Sequence, residues 1–379
     1  MTDRCSTPKG PRLDSRAPMT RRELLGLLGV GAGACLTSAG SAHLVEGAEA
    51  LQTTVRTGDP AIPKDAVIRT VLKDVAPGAL GTTATLFHEH LSFEWARVRG
   101  PNGRGPATGP DKDVTLLSDQ LDLAAAEGVG CIVDAGTTDV GRDVAFLARI
   151  AARTRVHIVA CGGLYMQRTY PDDIATKSED QVADDLVKDA GANRYGAFGE
   201  IGETPDAAMS AQERKVFRAV GKAHGRTNLP IFTHNAYGTG PNVPKDAGLR
   251  QLDAFESAGV DPRRVAIGHT CCLDDPTADI IKQLASRGSF VGFDRVTAGA
   301  VPDDKKVRML LAFFDAGYAD RLLLSSDYNF TARSAARPGY GSTLTVFVPK
   351  LRVAGVNEET IRRITIDNPR RFLAFVPKK

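Results

Sequence analysis

The 379-residue sequence predicts an α/β protein with a (β/α)8 TIM barrel, because a short apolar run followed by a helical pattern recurs eight times. The runs are rich in Val, Ile, Phe and Ala and barely alternate with polar residues, which is typical of strands buried on both faces of a parallel sheet. They occupy residues 83–88, 130–135, 157–162, 197–201, 230–234, 265–269, 289–293 and 322–326. Eight such units favour a closed barrel over an open sheet.

The segments between the runs have the spacing of amphipathic helices. In 114–127 the apolar residues Val114, Leu117 and Leu121 recur every three or four positions, and Gly128 ends the pattern. Similar patterns cover 142–154, 177–190, 211–225, 246–258, 277–287, 303–316 and 343–354. Strand and helix therefore alternate through the whole predicted barrel.

The N-terminal 50 residues have a different composition from the rest of the chain. The pair Arg21-Arg22 precedes an apolar run, rich in Gly and Ala, that extends to about Ala34, and this order indicates an export signal of the twin-arginine type. The run is too short for a good membrane span, and residues 48–50 (Ala-Glu-Ala) offer a cleavage site. A disordered basic tail or a buried helix is the alternative interpretation, and lipid attachment at Cys35 is an alternative form of export.

This organisation divides the chain into a signal and cleavage region (1–50), a linker (51–65) and a TIM barrel (66–379). Residues 66–80 are predicted to form a short hairpin ahead of the first barrel strand. The mature protein is expected in the periplasm or outside the cell, with no stable membrane insertion after signal removal.

Charge and cysteine content exclude some classes of function. The formal charge of +3 gives no reason to expect nucleic acid or an anionic membrane as a partner. Outside the leader the cysteines form no CxxC pair, so a thiolate zinc site is not expected. Cys131 and Cys161 lie in predicted strands and are interpreted as buried free thiols. An oxidising compartment would permit a disulfide, and whether any cysteines form one is left open. No GxSxG motif is present to supply a serine nucleophile.

Histidines and carboxylates follow the predicted strands at their carboxyl ends, where barrel enzymes place their catalytic groups. The first strand ends in His88-Glu89-His90, and because alternate strand residues share a side, the two histidines face one centre while Glu89 faces away. The later strand ends contribute Glu200, His234, His269 and Asp327. Imidazole and carboxylate suit zinc, iron or manganese, and two cations close together can share a water and lower its pKa. We therefore predict a two-metal site.

Other residues near these motifs have a structural interpretation. His43 lies in or beside the leader, His157 starts a predicted strand and His224 ends a predicted helix, so none is expected in the site. Glu203 also follows the fourth strand. Alternation puts Glu200 on the side opposite Ile201 and Glu203, and an inward Glu200 lets the apolar Ile201 pack against the helices.

The chain resembles the phosphotriesterase family of the amidohydrolase superfamily over about residues 66–376. The motifs that carry the resemblance are FHEHL, IVDAGTTDVGRD, GEIG, THNA, IGHT, GFDR, SSD and the closing DNPRRFL. It implies two divalent metal ions, with Zn preferred and Mn, Fe or Co as alternatives. The implied ligands are His88, His90 and Asp327 for one metal, His234 and His269 for the other, and Glu200 as the bridge. Family members carry either a carboxylated lysine or a glutamate at the bridge, so the chain is similar to the glutamate-bridged branch.

The resemblance also implies a reaction. It suggests hydrolysis of an ester-like bond by a metal-bridging hydroxide, with Asp327 as proton acceptor and with Tyr165 and Arg295 beside the reacting groups. A lactone or carboxyl ester is the preferred substrate, and a phosphotriester is the alternative, since the bridge is not lysine. Lactonase-like members usually have histidine where this chain has Ser326, which is a departure. A non-catalytic binding protein on the same barrel is the alternative from another class, and a homodimer is left open.

Overall fold

Eight parallel strands form the central sheet of this protein, whose structure is a computed structural model. A two-stranded antiparallel hairpin precedes them, formed by β1 (Ile68–Arg69) and β2 (Asp74–Val75). The barrel strands are β3 (Ala84–Glu89), β4 (Val129–Asp134), β5 (His157–Gly162), β6 (Ala197–Gly202), β7 (Ile231–His234), β8 (Val265–Ile267), β9 (Phe290–Phe293) and β10 (Leu322–Leu324). Each pairs in parallel with the next along the chain. The predicted hairpin and all eight predicted strands are present.

Helices cover the outside of the sheet. They are α1 (Val114–Ala126), α2 (Val144–Ala151), α3 (Glu179–Ala192), α4 (Ala211–Thr227), α5 (Ala247–Glu256), α6 (Asp279–Ser286), α7 (Asp303–Asp315), α8 (Val348–Val353), α9 (Glu358–Arg362) and α10 (Asn368–Leu373). Capping boxes start two of them, with Ser178 and Gln181 at α3 and Ser210 and Glu213 at α4. The last predicted segment begins as a π-helical turn, Thr343–Phe347, that continues into α8.

The structure describes residues 61–94, 113–237, 243–330 and 339–378. The predicted signal region, its cleavage site, Cys35 and His43 lie outside the described residues, as does the linker up to residue 60. Within the described ranges, no helix is both long enough and apolar enough to cross a membrane.

The barrel is nearly closed, because its first and last strands meet just beyond their ends. The amide of Asp327 donates to the carbonyl of His88 at 3.2 Å, and the amide of His90 donates to the carbonyl of Tyr328 at 2.9 Å. A single parallel bridge joins His90 to Asn329. The arrangement is consistent with a TIM barrel, with its seam at the polar ends of β3 and β10.

The strands bury both faces, in two separate layers. One layer joins strand residues such as Ile132, Ile158 and Ile231 to the apolar sides of the helices. The other fills the barrel with residues such as Phe232 and Val159. Cys131 and Cys161 belong to this inner layer and are buried free thiols, as predicted, and Cys271 and Cys272 are also free and buried. This two-sided burial explains why the strand sequences are continuously apolar.

Candidate metal centre

Six side chains converge at the carboxyl ends of the barrel strands, and they are the six named by the strand-end pattern. They are His88, His90, Glu200, His234, His269 and Asp327. The four histidines and Glu200 are buried, and Asp327 is partly exposed toward the cavity above the cluster. The barrel therefore brings together donor groups that are far apart in sequence.

The first part of the cluster joins β3 to the end of β10. The Nε2 atom of His90 lies 2.8 Å from Oδ1 of Asp327, and Nε2 of His88 lies 3.7 Å from the same oxygen. These three side chains form one set of donor atoms close enough to hold a metal ion.

The second part of the cluster is built around one carboxylate oxygen, Oε2 of Glu200. It lies 2.9 Å from Nδ1 of His234, 3.5 Å from Nε2 of His269 and 3.2 Å from Nε2 of His88. The facing nitrogens of His234 and His269 are 2.9 Å apart. A second metal-capable set combines His88, Glu200 and His269. His88 thus reaches both sets, whereas the family resemblance implied that it holds one metal.

Irregular strand register turns two of these side chains into the barrel. On β6 the inner layer includes Ala197, so strict alternation would turn Glu200 outward. The register with β7 shifts between Phe198 and Ile201, and Ile201 packs in the outer, helix-facing layer. Gly199 faces the inner Phe232, against which a Cβ atom would collide. Gly199 and Glu200 therefore both face inward.

The same happens on β3, where the register with β4 shifts between Leu86 and Glu89. Phe87 packs in the inner layer, and the His88 ring also lies inside, 5.4 Å from the ring of Phe232. Phe87 and His88 are thus consecutive inward residues. The predicted orientation of Ile201 toward the helices is observed, although simple alternation is not its cause.

Asp294, at the end of β9, orients two of the histidines. Its Oδ1 lies 2.8 Å from Nδ1 of His269, and its Oδ2 lies 3.1 Å from Nδ1 of His88. Both of its oxygens also accept the backbone N–H of His269. A carboxylate on one ring nitrogen fixes the ring and directs the other nitrogen to the centre. The sequence analysis gave Asp294 no role, although its place after the seventh barrel strand was a usable signal.

Two other acidic residues near the cluster have separate partners. Glu89 accepts the backbone N–H groups of Ser326 at 2.8 Å and Tyr328 at 2.7 Å, and burial raises its pKa to about 8. Glu203 is paired with Arg250 at 3.1 Å and accepts from Gln251 at 3.2 Å. Neither carboxylate belongs to a metal-capable set within the described residues.

Tyr165 and Arg295 contact different members of the cluster. The Tyr165 hydroxyl is 3.1 Å from Nδ1 of His234, and Nε of Arg295 donates to Oδ2 of Asp327 at 2.6 Å. Both line a cavity of about 60 Å³ above the cluster, together with His90, Phe93, Val140, Glu200, Asp327 and Asn329. The cavity lining thus combines an apolar group around Tyr165, formed with Phe93 and Val140, and charged groups that include Arg295 and Asp327.

Neither Ser326, where lactonase-like members usually have histidine, nor the described histidines predicted to be structural are among the six converging side chains. The Ser326 hydroxyl contacts those of Ser342 at 2.8 Å and Thr343 at 2.7 Å, beside the π-helical turn. Its hydrogen bonds therefore point away from the six-residue cluster. His157 starts β5, and Nδ1 of His224 lies 2.7 Å from the Leu229 carbonyl.

Charges within the cluster hold the carboxylates ionised. Burial alone would raise the pKa of Glu200, but His88 and His234 beside it hold that pKa well below its usual range. Burial is likewise outweighed at Asp327 by Arg295 and His90, which lower the pKa of that carboxyl. Burial lowers the pKa of His234 to about 4, so its imidazole is neutral at pH 7. At His88 and His269 burial is outweighed instead, because Glu200 and Asp294 raise the pKa of His88, and Asp294 raises that of His269 to about 9. These two rings bind metal only after they lose a proton, since metal binds ionised carboxylates and neutral imidazole.

The sequence profile of the phosphotriesterase family matches residues 66–373, which is the entire barrel. The chain belongs to the phosphotriesterase family. The phosphotriesterase homology protein of Escherichia coli (strain K12) is 31% identical over 300 residues, covering 77% of this chain and 98% of that protein. Its solved structure, complexed with phosphate in the active site, has a TM-score of 0.69 at 28% identity and covers 77% of this chain and 99% of that one.

Two further relatives of this phosphotriesterase-family protein are named for their reactions. The aryldialkylphosphatase of Saccharolobus solfataricus is 31% identical over 308 residues, covering 76% of this chain and 94% of the relative. The N-acetyltaurine hydrolase of Xenopus tropicalis is 27% identical over 354 residues, covering 81% of this chain and 98% of the relative. The chain is accordingly a hydrolase of this family, with His, Glu and Asp clusters able to bind metal.

Proposed function

We propose that the protein is a two-metal hydrolase that cleaves a lactone or carboxyl ester. The observation that carries the proposal is the convergence of four histidines and two carboxylates on one point at the top of the barrel. When bound, two divalent ions would activate a water and polarise the bond to be cleaved. Zinc suits this set of nitrogen and oxygen donors, with manganese, iron or cobalt as alternatives.

The donor atoms fit bound cations better than they fit one another. Nε2 of His88 is buried without a hydrogen-bond partner of good geometry among the described residues. Nδ1 of His234 and Nε2 of His269 face each other at 2.9 Å, and one is satisfied only if the other carries a proton. A metal ion between them removes this requirement, because neutral imidazole nitrogens bind it directly.

Glu200 fits the bridging role because its two oxygens reach different histidines. Oε1 lies 3.5 Å from Nε2 of His90, while Oε2 lies 2.9 Å from Nδ1 of His234. A carboxylate in this position offsets the mutual repulsion of two cations. His88, His90 and Asp327 would hold one ion, and His234 and His269 the other.

Asp327 fits two tasks through its two oxygens. Oδ1 faces His90 and would bind the metal, while Oδ2 faces Arg295 and would accept the proton of the attacking water. Arg295 keeps this carboxylate ionised and oriented. The Tyr165 hydroxyl, next to His234, would donate to the oxygen of the substrate.

The substrate class is tested with a panel of a lactone, an aryl carboxyl ester, a phosphotriester and an N-acyl amide. We expect turnover of the lactone or carboxyl ester, because the cavity places the apolar residues Phe93 and Val140 beside the cluster. Phosphotriester hydrolysis is the alternative and would be weaker. The Glu200→Ala variant, prepared identically, controls for contaminating esterases, and turnover confined to the amide or phosphotriester would contradict the proposed class.

Metal content tests the two-metal centre directly. Elemental analysis of metal-replete protein should give about two divalent ions per chain, as in other two-metal sites. One ion or fewer in a folded sample would overturn the binuclear centre. A non-catalytic binding protein is the competing function, and it predicts full metal content with no turnover of any panel member.

We also propose that the protein is exported through the twin-arginine route, on the basis of Arg21-Arg22 and the apolar run that follows. That route carries folded proteins, so the centre would be loaded before export. Changing Arg21→Lys and Arg22→Lys together should leave the protein in the cytoplasm. Fractionation that finds the double variant outside, as for the unchanged chain, would contradict this route. Mass spectrometry of the exported protein separates cleavage near residue 50 from lipid attachment at Cys35.

A further inference from the structure

The loop after β4 carries a buried carboxylate, Asp139, that holds the loop after β5. The backbone N–H of Tyr165 donates to Oδ2 of Asp139 at 2.9 Å and to Oδ1 at 3.1 Å. The Thr169 hydroxyl donates to Oδ2 at 2.5 Å, and the Thr137 hydroxyl donates to Oδ1 at 2.6 Å. Both oxygens are therefore occupied by donors, two of which come from the Tyr165 loop.

The partners of Asp139 are neutral, since no cationic side chain among the described residues pairs with it. Burial raises its pKa, and the hydroxyl and amide donors oppose that effect. A buried carboxylate without a cation is costly unless several hydrogen bonds converge on it. The hydrogen bonds of Asp139 thus serve to hold the loop that carries Tyr165.

The other side of the Tyr165 backbone is fixed by a close approach to β6. A Cβ atom at Gly202 would collide with the Tyr165 carbonyl oxygen, so glycine is needed for the loop to lie against the strand. Gly202 is two residues beyond Glu200. The Tyr165 peptide is consequently held between the Asp139 carboxylate and the strand that supplies the proposed metal bridge.

We propose that Asp139 is a positioning residue that sets the Tyr165 hydroxyl over the metal centre. The hydroxyl lies 3.1 Å from Nδ1 of His234, and the ring packs with Phe93 and Val140. With both the ring and the peptide held, the hydroxyl has one accessible location above the centre. This inference rests on the proposed hydrolase function, and Asp139 acts only through Tyr165.

A double-mutant cycle between Asp139→Asn and Tyr165→Phe tests the proposal. The Tyr165 N–H faces both oxygens of Asp139, so in either rotamer of Asp139→Asn one of its acceptors becomes an amide N–H donor. Loss of the charge also weakens the remaining hydrogen bonds to the loop, because bonds to an ionised acceptor are the stronger ones. We expect each single variant to lower kcat on the ester about tenfold, as for loss of one well-oriented hydrogen bond. The double variant should be no worse than Tyr165→Phe alone, because residues that act as a unit are not additive.

Multiplicative losses in the double variant would overturn the proposal, since Asp139 would then act without Tyr165. Asp275→Asn is the matched control. Asp275 is also buried and accepts one backbone N–H, from Ile280 at 2.9 Å, and one threonine hydroxyl, from Thr277 at 3.3 Å. It should leave kcat unchanged while lowering the melting temperature. If Asp139→Asn does not fold, Thr169→Val replaces it in the same cycle.

A readout that is independent of turnover separates this inference from the proposed function. In protein labelled with ¹³C-tyrosine, the Tyr165 ring signal, assigned from Tyr165→Phe, should shift or broaden in Asp139→Asn and stay in place in Asp275→Asn. An unchanged signal would overturn the positioning role. A changed signal in a protein that hydrolyses no panel member would uphold the placement of Tyr165 and contradict the hydrolase proposal instead.

Discussion

The two ends of the barrel both carry clusters of charged residues, but the clusters are organised in opposite ways. At the carboxyl ends of the strands, His88, His234 and His269 direct ring nitrogens toward Glu200 and toward one another. At the amino ends, arginines bind backbone carbonyls. Arg264 donates to the carbonyls of Ala374 at 3.1 Å and Asn228 at 3.4 Å.

Cavity size does not indicate which end carries the candidate metal centre, because the larger cavity lies at the other end. The cavity at the amino ends is about 310 Å³, and that above the metal centre is about 60 Å³. The larger one is bordered by Arg321 and Arg371, which lie 5.6 Å and 5.4 Å from the centre of the Phe290 ring. What differs is the direction of the polar atoms. At the amino ends they bind backbone carbonyls of neighbouring elements, and at the carboxyl ends they face a shared point. That agrees with stability at the bottom of a barrel and chemistry at the top.

Glu200→Ala should have the largest effect of any change that probes this contrast. Loss of the bridge leaves two cations to repel each other, so we expect loss of at least one metal and a fall in activity of about 100-fold or more, since even outer-shell changes cost 10–100-fold. Glu203→Ala is the matched control, because Glu203 pairs with Arg250 outside the cluster. It should retain both metals and alter activity only modestly. Metal analysis and kcat/KM decide the assignment. Metal loss in Glu203→Ala with two metals retained in Glu200→Ala would mean that Glu203, and not Glu200, is the bridging carboxylate.

Asp294→Asn should have the next largest effect. An amide cannot accept from both His88 and His269, so one ring loses its orientation. Metal affinity is expected to fall about 10–100-fold, as for other carboxylates that orient ligand histidines. Competition with a chromogenic chelator measures the affinity. Unchanged affinity in the folded variant would show that these rings are fixed by packing alone.

Asn368→Ala probes the opposite end of the barrel. The buried side-chain amide of Asn368 donates to the carbonyls of Ala319 and Leu322 at 2.8 Å each. Its removal leaves two buried carbonyls unsatisfied, at a cost of about 1–3 kcal/mol in the free energy of unfolding. Urea denaturation should detect that loss, while metal content and kcat stay at their original values. A change in kcat at equal metal content would show that the amino-terminal end of the barrel influences catalysis, which would contradict the separation of stability and chemistry between the two ends.

Ser326→Ala should have the smallest effect, although Ser326 adjoins Asp327 in sequence. Its hydroxyl contacts Ser342 and Thr343, so about 1 kcal/mol of stability is at stake. Activity should remain within about twofold, since loss of a hydroxyl directed away from the centre leaves every donor in place. Ester assays measure the activity and thermal melts measure the stability of the variant. A large fall in kcat would place Ser326 within the site.

The barrel architecture was predictable because strands that are buried on both faces have continuously apolar sequences. The convergence of the donor side chains was predictable because parallel strands present their carboxyl ends on one side. The reason that Glu200 points inward was not, since alternation from Ala197 gives the opposite result and the register shift on β6 has no sequence signature. The double contact of Asp294 was missed for a similar reason. A side chain that serves two histidines depends on the spacing between strands, which a single chain does not reveal.

Because the metal centre lies at the seam between β3 and β10, bound metal would also affect how the barrel folds. The hydroxyl of Ser325 accepts the His88 amide at 3.0 Å across 237 residues, and little regular pairing joins β3 to β10 beyond such bonds. An ion held by His88, His90 and Asp327 would cross-link the first barrel strand, β3, to the end of the last, β10. Closing so long a loop costs conformational entropy, and an ion that binds only the closed form shifts that equilibrium by mass action. Metal loading would then protect the seam amides from hydrogen exchange before it protects any other part of the barrel.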